Sequence, residues 1–258
     1  MGDRHQPSTS GPENASDRAV IRGILRLFGT VVLIGALVVG AATIAPAVID
    51  DIDGIDGFEG PNGVDMGPQP SPSSEPPPAG ERDPDTTDPD DPGESTYESN
   101  VETIDTETVE DFVHAEVNDR RDDHDVDDLE WDGTVASVAR AHSYDMADQE
   151  YFDHTNPDGQ EPMERFTDVD DYCRGYGENI ALTYIDRPVE NTDTGETSEH
   201  QTAEQLATGL VDQWMNSTSH REAILEEDGV PEWDRGGVGV YVTDDGEVYA
   251  SHNFCRQW

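Results

Sequence analysis

The sequence predicts an α+β domain of about 150 residues at the C-terminal end of the chain, behind one transmembrane helix and a disordered acidic linker. Three observations predict this organisation. Residues 202–216 carry apolar side chains at the spacing of an amphipathic helix, and residues 237–255 alternate as a β-hairpin does. Ten of the 17 prolines lie between Pro61 and Pro92, where almost no large apolar residue is available to pack. Only the part after residue 105 can therefore bury a sizeable core.

The charge balance is strongly acidic, with 59 Asp and Glu against 14 basic residues and a net charge of −45. All 14 basic residues are arginine. In dilute salt such an excess repels itself, whereas at molar salt the Debye length shrinks to about 3 Å and the repulsion is screened. The composition therefore predicts a protein adapted to very high salt. It argues against nucleic acid as a partner, because phosphate binding needs a basic surface.

A membrane anchor is predicted at residues 27–49, a run of 23 uncharged residues that is long enough to cross a hydrocarbon core of about 30 Å. Three arginines between residues 18 and 26 precede it, and acidic residues follow it. This asymmetry predicts a short cytoplasmic segment at residues 1–26 and an external C-terminal domain. The alternative is secretion after cleavage near Ala47, because Ala45-Pro46-Ala47 has the small-x-small form of a cleavage site.

Residues 50–104 are predicted to be a disordered, acidic, proline-rich linker. Asp, Glu, Pro, Gly and Ser dominate this segment, so it offers too little apolar surface to offset the entropy lost on ordering. About 50 residues would span on the order of 40 Å as a flexible coil. The ordered domain is predicted to occupy residues 105–258.

Two helices are predicted at the start of this domain. Apolar residues recur at helical spacing from Val109 to Val117, and Thr108 with Asp111 forms a start signal of the capping-box type. The next helix follows Asp132, which suits an N-cap, and its apolar face includes His142. A histidine within such a stripe is predicted to be a hydrogen-bonded core residue rather than a ligand.

Two candidate site residues follow on less regular segments. His154 lies in YFDHTNPDG, a turn after an aromatic pair, and a histidine on a loop is a better functional candidate than one inside an apolar stripe. Glu178 belongs to GENIALTY, residues 177–184, which is predicted to be a short strand after a tight turn. The acidic insert at about residues 186–201 has no apolar period and is predicted to be a surface loop.

The clearest helix runs from Thr202 to Asn216 and leads into a second, shorter one. Ser219 and Glu222 have the spacing of a capping box, which makes His220 the first residue of the short helix. The positive end of the helix dipole disfavours a cationic imidazole there, so His220 is predicted to lean neutral. The hairpin that follows turns at Asp-Asp-Gly and is predicted to belong to the central sheet.

Cys173 and Cys255 are the only cysteines in the chain. In an external compartment two cysteines near strand ends are predicted to form one disulfide. The alternative is a pair of free, buried thiols.

Several motifs, taken in order, resemble the CAP superfamily, which includes cysteine-rich secretory proteins, venom antigen 5 and plant pathogenesis-related proteins. The motifs are VNDRR, LEWDGTVASVARAHSYDMA, YFDHTNPDG, YGENIA, WMNSTSHREAIL, GVGVY and YASHNF. They extend over residues 109–254 and are most similar to the bacterial branch. The resemblance implies a three-layer α-β-α sandwich with a small central sheet.

The resemblance also implies a polar site. Family members usually carry two histidines and two glutamates in a cavity, and the matching residues here are His154, His220 and Glu178. In the family pattern the second glutamate lies three residues after the tryptophan, where this chain has Ser217. Ser217 therefore completes the predicted ligand-binding set, although this departure weakens any transfer of a four-residue chemistry.

Three functional hypotheses follow. In the first, the cavity binds a lipid, a peptide or another cell-envelope ligand, as the resemblance suggests for several members. In the second, a metal-dependent hydrolase holds zinc or another divalent ion through His154 and His220 and uses Glu178 as a base. Two histidines are fewer than the three protein ligands typical of catalytic zinc. In the third, these residues form a structural polar network with no catalysis.

Overall fold

The computed structural model describes residues 71–190, residue 195 and residues 197–258. The predicted cytoplasmic segment, the predicted anchor at residues 27–49 and the first part of the predicted linker lie outside these ranges. Among the described residues, no helix combines the length and the apolar character needed to cross a bilayer.

Eight strands and five α-helices make up the described part of the chain. In chain order they are β1 (Thr96–Glu98), β2 (Thr103–Asp105), α1 (Thr106–Asp122), β3 (Glu130–Trp131), α2 (Gly133–Asp148), α3 (Pro162–Arg165), β4 (Gly175–Tyr184), β5 (Pro188–Glu190), β6 (Thr197–Glu199), α4 (Ala203–Asn216), α5 (Thr218–Leu225), β7 (Arg235–Val242) and β8 (Glu247–Arg256). A short 3₁₀ helix, Phe166–Val169, follows α3 directly.

The central sheet has four strands in the order β3-β7-β8-β4. The short β3 pairs with β7 in parallel, and the other pairs are antiparallel. The predicted hairpin is confirmed as β7 and β8, which turn at Gly246 with a positive φ of 78°. The predicted strand at residues 177–184 is confirmed within β4, which pairs with β8 along ten residues, from Gly175 opposite Arg256 to Tyr184 opposite Glu247.

Helices cover both faces of this sheet, which confirms the three-layer α-β-α sandwich. Helix α2 packs on one face, against β7 and β8. A side chain at Gly237 or Gly239 would collide with the backbone of α2 at Ala136 and Arg140, so these two glycines allow the helix to approach closely. The other face packs against α1, α4 and α5 through the main core cluster, whose members include Val113, Leu210, Trp214, Val240 and Phe254.

The helix starts agree with the sequence prediction at some positions and differ at others. Asp132 caps α2 as predicted, accepting hydrogen bonds from the amides of Thr134 and Val135. Helix α1 begins earlier than the predicted start signal at Thr108, because Asp105 is the residue whose side chain accepts from the first free amides. Helix α5 begins at Thr218 after Ser217, and no capping box forms there. His220 is thus the third residue of α5 rather than the first.

The acidic insert also differs from the prediction of a surface loop. Strands β5 and β6 pair as a small antiparallel ladder, with Pro188 opposite Glu199 and Glu190 opposite Thr197. A two-stranded ribbon outside the core needs only backbone hydrogen bonds, so its residues show no apolar period for a sequence analysis to detect.

The disulfide prediction is confirmed, since Cys173 and Cys255 are bonded with an S–S distance of 2.05 Å. Both cysteines are buried, on the side of the sheet that faces α2. The bond joins the residues before β4 to the end of β8 and spans 82 positions of sequence.

Ordered structure begins further upstream than the sequence predicts. The strap, which we define as residues 71–95, lies against the helices although it falls within the predicted linker at residues 50–104. Arg82 of the strap forms ion pairs with Glu107, Glu110 and Asp111 of α1, at distances of 3.1, 3.0 and 2.5 Å. A polar segment can therefore be ordered by docking its charges onto an existing domain, a possibility that its lack of apolar residues does not reveal.

A second ion pair fixes the other end of the strap. Arg140 of α2 contacts Asp91 at 3.0 Å and also contacts Glu110 at 3.0 Å. Glu110 is fully buried and accepts hydrogen bonds from both arginines and from the amide of Val240. This one carboxylate thus joins the strap, both long helices and β7.

Replacing Asp88 of the strap by asparagine is expected to stabilise the domain above pH 6 and to leave it unchanged below pH 4. Asp88 is 5% exposed, and its burial, reinforced by neighbouring carboxylates, raises its pKa from 3.8 to about 6. The folded state therefore binds the proton more tightly than the unfolded state does, and stability falls as the pH rises from about 4 to 6. The uncharged amide of the variant avoids that loss. Above pH 6 the variant should therefore be more stable than the wild type by about 1–2 kcal/mol, after allowance for solvent screening.

Urea unfolding of both proteins in molar KCl, from pH 4 to pH 8, measures this difference. Asp83, an exposed aspartate of the strap whose charge is not among those that act on Asp88, provides the control as Asp83→Asn. A pH-independent difference between wild type and Asp88→Asn would contradict the expectation.

Candidate functional site

Glu178 is the central residue of the polar cluster in the described part of the chain. It lies in β4, and its side chain is 1% exposed. Its two carboxylate oxygens are both occupied by donors: Oε1 is 2.8 Å from Nδ1 of His154, and Oε2 accepts from Arg165 Nη2 at 2.6 Å and from the Tyr176 hydroxyl at 2.8 Å. Two predicted site residues, Glu178 and His154, are thus in direct contact.

The charge state of Glu178 follows from these contacts. Burial alone would raise the pKa of its carboxyl group. The hydrogen bond from His154 and the charge of Arg165 outweigh burial and lower the pKa to about 2. The side chain is therefore an ionised carboxylate at neutral pH, and it is poorly suited to accept a further proton as a general base.

His154 lies in the loop after α2, at the edge of the cluster. Its side chain is 44% exposed. Because an ionised carboxylate can only accept hydrogen bonds, Nδ1 carries the proton that faces Glu178, and Nε2 remains for other partners. The hydrogen bond to Glu178 raises the pKa of His154 above its usual value. His154 is thus an oriented imidazole with a stabilised cationic form.

Arg165 and Tyr176 are functional-site residues that the sequence analysis missed. Arg165, in α3, is buried and also donates to the carbonyl oxygen of His154 at 2.9 Å, so that it holds both the carboxylate and the loop. The Tyr176 hydroxyl gives its single proton to Glu178 and lies 2.9 Å from the Asn253 side-chain amide. Because the hydroxyl has only one proton, Asn253 must donate an N–H to it. The side-chain amide is then turned so that Nδ2 faces the hydroxyl, and Nδ2 gains the partner that it otherwise lacks.

His142 adjoins the same cluster from α2. It is buried as predicted for a core histidine, and its Nε2 is 3.8 Å from Oε1 of Glu178. Burial lowers the pKa of His142 to about 4, so the ring is neutral at ordinary pH. The prediction that His142 belongs to the core is confirmed, although the residue lies nearer to the site than the apolar stripe suggested.

His220 approaches from the other side of the edge strand. Its carbonyl oxygen accepts from Asn179 Nδ2 at 3.0 Å, and Asn179 neighbours Glu178 in β4. Burial lowers the pKa of His220, and the nearby charge of His154 lowers it further. The ring thus leans neutral as predicted, but burial rather than the helix dipole is the main cause. Nδ1 of His220 is buried and has no hydrogen-bond partner among the described residues.

Ser217 occupies the junction between α4 and α5. Its amide donates to the carbonyl of Trp214 at 3.1 Å, and its carbonyl accepts from the amide of Arg221 at 2.9 Å. In the described structure its hydroxyl makes no hydrogen bond to His154, Glu178 or His220. The backbone geometry accounts for Ser217 as a helix-junction residue, and its ligand-binding role stays a prediction.

The cluster fits a metal ion only in part. Within residues 71–190, 195 and 197–258, no group of three or more His, Cys, Asp or Glu side chains is placed to hold an ion. Glu178 has no free oxygen, so His154 and His220 would be the only protein ligands. An ion there would need water or a bound ligand to complete its coordination. Zinc or another divalent ion therefore stays a prediction.

Two cavities lie elsewhere in the domain. One, of about 480 Å³, lies between the strap and β3, and the other, of about 670 Å³, lies beyond the C-terminal end of α5. Neither is lined by His154, Glu178 or His220. His154, partly exposed, and Glu178, buried, are in contact at the edge strand β4, outside both cavities.

Exposed apolar side chains lie close in sequence to two residues of the cluster. Of the large apolar residues in the described ranges, Phe152, Met163 and Trp258 are exposed, at 45%, 46% and 87%. Phe152 precedes His154 by two residues, and Met163 precedes Arg165 by two residues. The loop that presents His154 therefore also presents apolar surface.

Comparison with known proteins places the chain in a family. The sequence profile of the cysteine-rich secretory protein family, CAP, matches residues 114–255, which are 142 of the 258 residues. Two relatives come from Bacillus subtilis. The uncharacterized membrane protein YlbC is 30% identical over 52% of this chain and 31% of its own length. The uncharacterized protein YkwD is 32% identical over 43% of this chain and 34% of its own length. The chain thus spans about a third of these relatives.

Solved structures of similar proteins include two bacterial ones. An outer surface protein from Borrelia burgdorferi is 22% identical, with a TM-score of 0.47 over 60% of this chain and 97% of that one. An extracellular protein containing a SCP domain from Bacillus anthracis is 29% identical, with a TM-score of 0.42 over 56% of this chain and 39% of that one. The profile match, which covers more than half of the sequence, establishes that the chain belongs to the cysteine-rich secretory protein (CAP) family.

Proposed function

We propose that this protein is a membrane-anchored CAP-domain protein that binds an amphipathic cell-envelope ligand, a lipid or an apolar peptide, outside the cell. The observation that carries the proposal is His154, a partly exposed imidazole that is oriented by a buried carboxylate and follows the exposed Phe152 by two residues. The predicted anchor at residues 27–49 holds the domain at the membrane, and secretion after cleavage near Ala47 is the alternative. The names of YlbC, a membrane protein, and of the extracellular B. anthracis protein agree with an external domain.

The polar part of the ligand would contact the two histidines. His154 can donate a charge-assisted hydrogen bond from Nε2, since Glu178 stabilises its cationic form. His220 is neutral at the same pH, so one of its ring nitrogens can accept a hydrogen bond. Together they suit a head group that has both an anionic or carbonyl oxygen and a hydroxyl or amide proton.

The apolar part would lie on Phe152 and Met163. Covering the exposed part of a large apolar side chain contributes up to about 1.5–3 kcal/mol. Within the described ranges, most other large apolar side chains are covered. Exposed phenylalanine and methionine side chains are therefore uncommon in this domain. These two residues therefore provide the affinity for a lipid tail or an apolar peptide side chain.

Hydrolysis with Glu178 as base is the less favoured hypothesis. Both oxygens of Glu178 already accept hydrogen bonds, and its pKa is lowered to about 2. A divalent ion at His154 and His220 has more support, because a carboxylate that orients a histidine is a common arrangement behind metal-bound imidazole. Such an ion would serve as part of the binding surface.

Mass spectrometry of the molecules that co-purify with the full chain tests the proposal. The protein is extracted from its native membranes in mild detergent and molar KCl, and lipids, peptides and metals are measured in the same preparation. The variants are Phe152→Ser with Met163→Ser, and His220→Ala. Both sets change partly exposed side chains, so folding should be retained, and Trp258→Ser and His124→Ala serve as matched controls.

We expect one class of amphipathic molecule with the wild type and with both controls, and at least about tenfold less of it with the site variants. Equal recovery from all of these proteins would contradict the proposal. If zinc co-purifies and chelation releases the ligand together with it, the ion belongs to the binding surface. If zinc is removed without loss of ligand, the histidines act directly.

A further inference from the structure

The cavity beyond α5 contains an unusual pair of arginines. It has a volume of about 670 Å³ and lies between the end of β8, the residues before β4 and the turn that follows α5. Arg174 and Arg256 line it together with Trp233 and the buried Arg121. This volume is in the range of small-molecule sites.

The other arginines in the described part of the chain are almost all engaged with carboxylates. Of the ten described arginines, seven form ion pairs, namely Arg82, Arg120, Arg121, Arg140, Arg165, Arg221 and Arg235. Arg187 donates to the carbonyl of Asp245 and lies over the ring of Tyr184. Arg174 and Arg256 alone have side chains with neither an ion pair nor a hydrogen bond to any described residue. Both line the same cavity.

Pairing in the sheet places Arg174, which precedes β4, and Arg256, at the end of β8, at the same end of neighbouring strands. The amide of Arg174 donates to the carbonyl of Arg256 at 2.9 Å, and Arg256 lies opposite Gly175. A Cβ atom at Gly175 would lie 3.4 Å from Cβ and 3.9 Å from Cδ of Arg256, so the arginine stem crosses the space that this glycine leaves open. The ring of Trp233 borders the same space at 4.0 Å.

The rest of the cavity wall is fixed by its own contacts. Arg121 is fully buried and donates to Asp127 O, Ile224 O and Glu226 Oε1, so each of its three nitrogens already has a partner within the protein. Glu226 also accepts from the amide of Trp233, whose ring nitrogen donates to Ala223. Asp125, Asp127, Glu232 and Asp234 also line the cavity. The carboxylate of Asp234 accepts from the amide of Gln257, and none of the four forms an ion pair with Arg174 or Arg256.

The guanidinium groups of these two arginines have a defined chemical preference. Each can donate two parallel hydrogen bonds to a tetrahedral or planar oxyanion, and this bidentate geometry favours arginine wherever phosphate is recognised. In molar salt, long-range attraction is screened within about 3 Å, so only direct contacts of this kind can select an anion. The same screening removes most of the repulsion between an anion and a chain of net charge −45.

We propose that this cavity is a second ligand site, which binds a phosphate group, free or as an ester, through Arg174 and Arg256. It is separate from the cluster around Glu178, because none of His154, Glu178 and His220 lines it. The volume leaves room for an organic group attached to the phosphate, with Trp233 as its apolar wall. The proposal therefore does not depend on the function proposed for the histidines.

Isothermal titration calorimetry of the full chain, in mild detergent and molar KCl, tests this site. The probes are inorganic phosphate and glycerol 1-phosphate, which represent free phosphate and a lipid head group. The variants are Arg174→Gln and Arg256→Gln, and Arg187→Gln is the matched control because it removes an exposed arginine outside the cavity. The thermal midpoint of each protein is measured in the same buffer, and in the two site variants it should not change because their side chains have no partners to lose.

We expect each site variant to weaken phosphate binding by about tenfold or more, and Arg187→Gln to bind as the wild type does. Tighter binding of the ester than of inorganic phosphate would assign the site to a head group, and the reverse would assign it to free phosphate. Absence of binding to the wild type, or equal weakening in Arg187→Gln, would overturn the proposal.

Discussion

Replacing Glu178 by glutamine is expected to lower the free energy of unfolding by about 3–5 kcal/mol. The carboxylate is 1% exposed and is the ion-pair partner of Arg165, which is itself buried. Glutamine keeps the size of the side chain but leaves the guanidinium group without a counter-charge in a site that excludes water. Urea unfolding of both proteins in molar KCl at pH 7 measures the loss.

The effect of Glu178→Gln should depend on pH in a defined direction. The pKa of Glu178 is lowered from 4.5 to about 2 in the folded protein. The carboxylate therefore contributes its full stability above about pH 4.5, and that contribution is lost as the pH falls towards 2. The difference between wild type and variant should shrink over the same interval.

Glu130→Gln is the control for this experiment. Glu130 pairs with Arg235 at 3.5 Å, but its side chain is 70% exposed. Exposed ion pairs contribute less than about 1 kcal/mol, so little change is expected. Similar small losses in both variants would show that the cluster around Glu178 is not a stabilising network.

Removing the disulfide, by Cys173→Ala with Cys255→Ala, is expected to have an effect of comparable size. The bond closes a loop with a sequence separation of 82 residues. Closing a loop of that length stabilises the folded state by about 4.5 kcal/mol if the effect arises from the entropy of the unfolded chain. Measured values for native disulfides cover a range of about 2–5 kcal/mol.

Urea unfolding of the double variant and of the reduced wild type measures this contribution. The two should agree, because both lack the same covalent bond and retain small side chains at both positions. An unfolding free energy equal to that of the oxidised wild type would mean that the bond does not restrict the unfolded chain. A covalent link of this kind matters most in a domain whose surface charges repel one another.

Regular elements of this fold could be predicted because their signals are local. The helix from Thr202 and the β7–β8 hairpin follow directly from apolar spacing and from one turn. Helix starts are harder to predict, since any Asp, Ser or Thr near the first turn is a possible cap. Asp105 rather than Thr108 caps α1 because it is the residue whose carboxylate reaches two free amides.

The polar cluster shows a different limit. His154 and Glu178 were identified through family motifs, and they are in contact as expected for one site. Arg165 and Tyr176 were missed because their roles depend on which residues the fold brings to Glu178 from other elements. Arg165 could have been found from composition. The chain has no lysine and few arginines, so each arginine next to an apolar residue is a candidate partner for a buried carboxylate.

The strap has a mechanical consequence if the predicted anchor at residues 27–49 holds the domain at a membrane. A pull transmitted along the chain from the N-terminal side would first load Ser73, which contacts Glu102 and Glu204, and then Ala79 and Arg82, which contact α1. Arg82 contacts Glu110 of α1, and Asp91 contacts Arg140 of α2. The pulling force would therefore be shared between two helices and act along them, rather than on the end of one helix. The contacts of the strap would thus keep tension in the chain from distorting the cluster around Glu178.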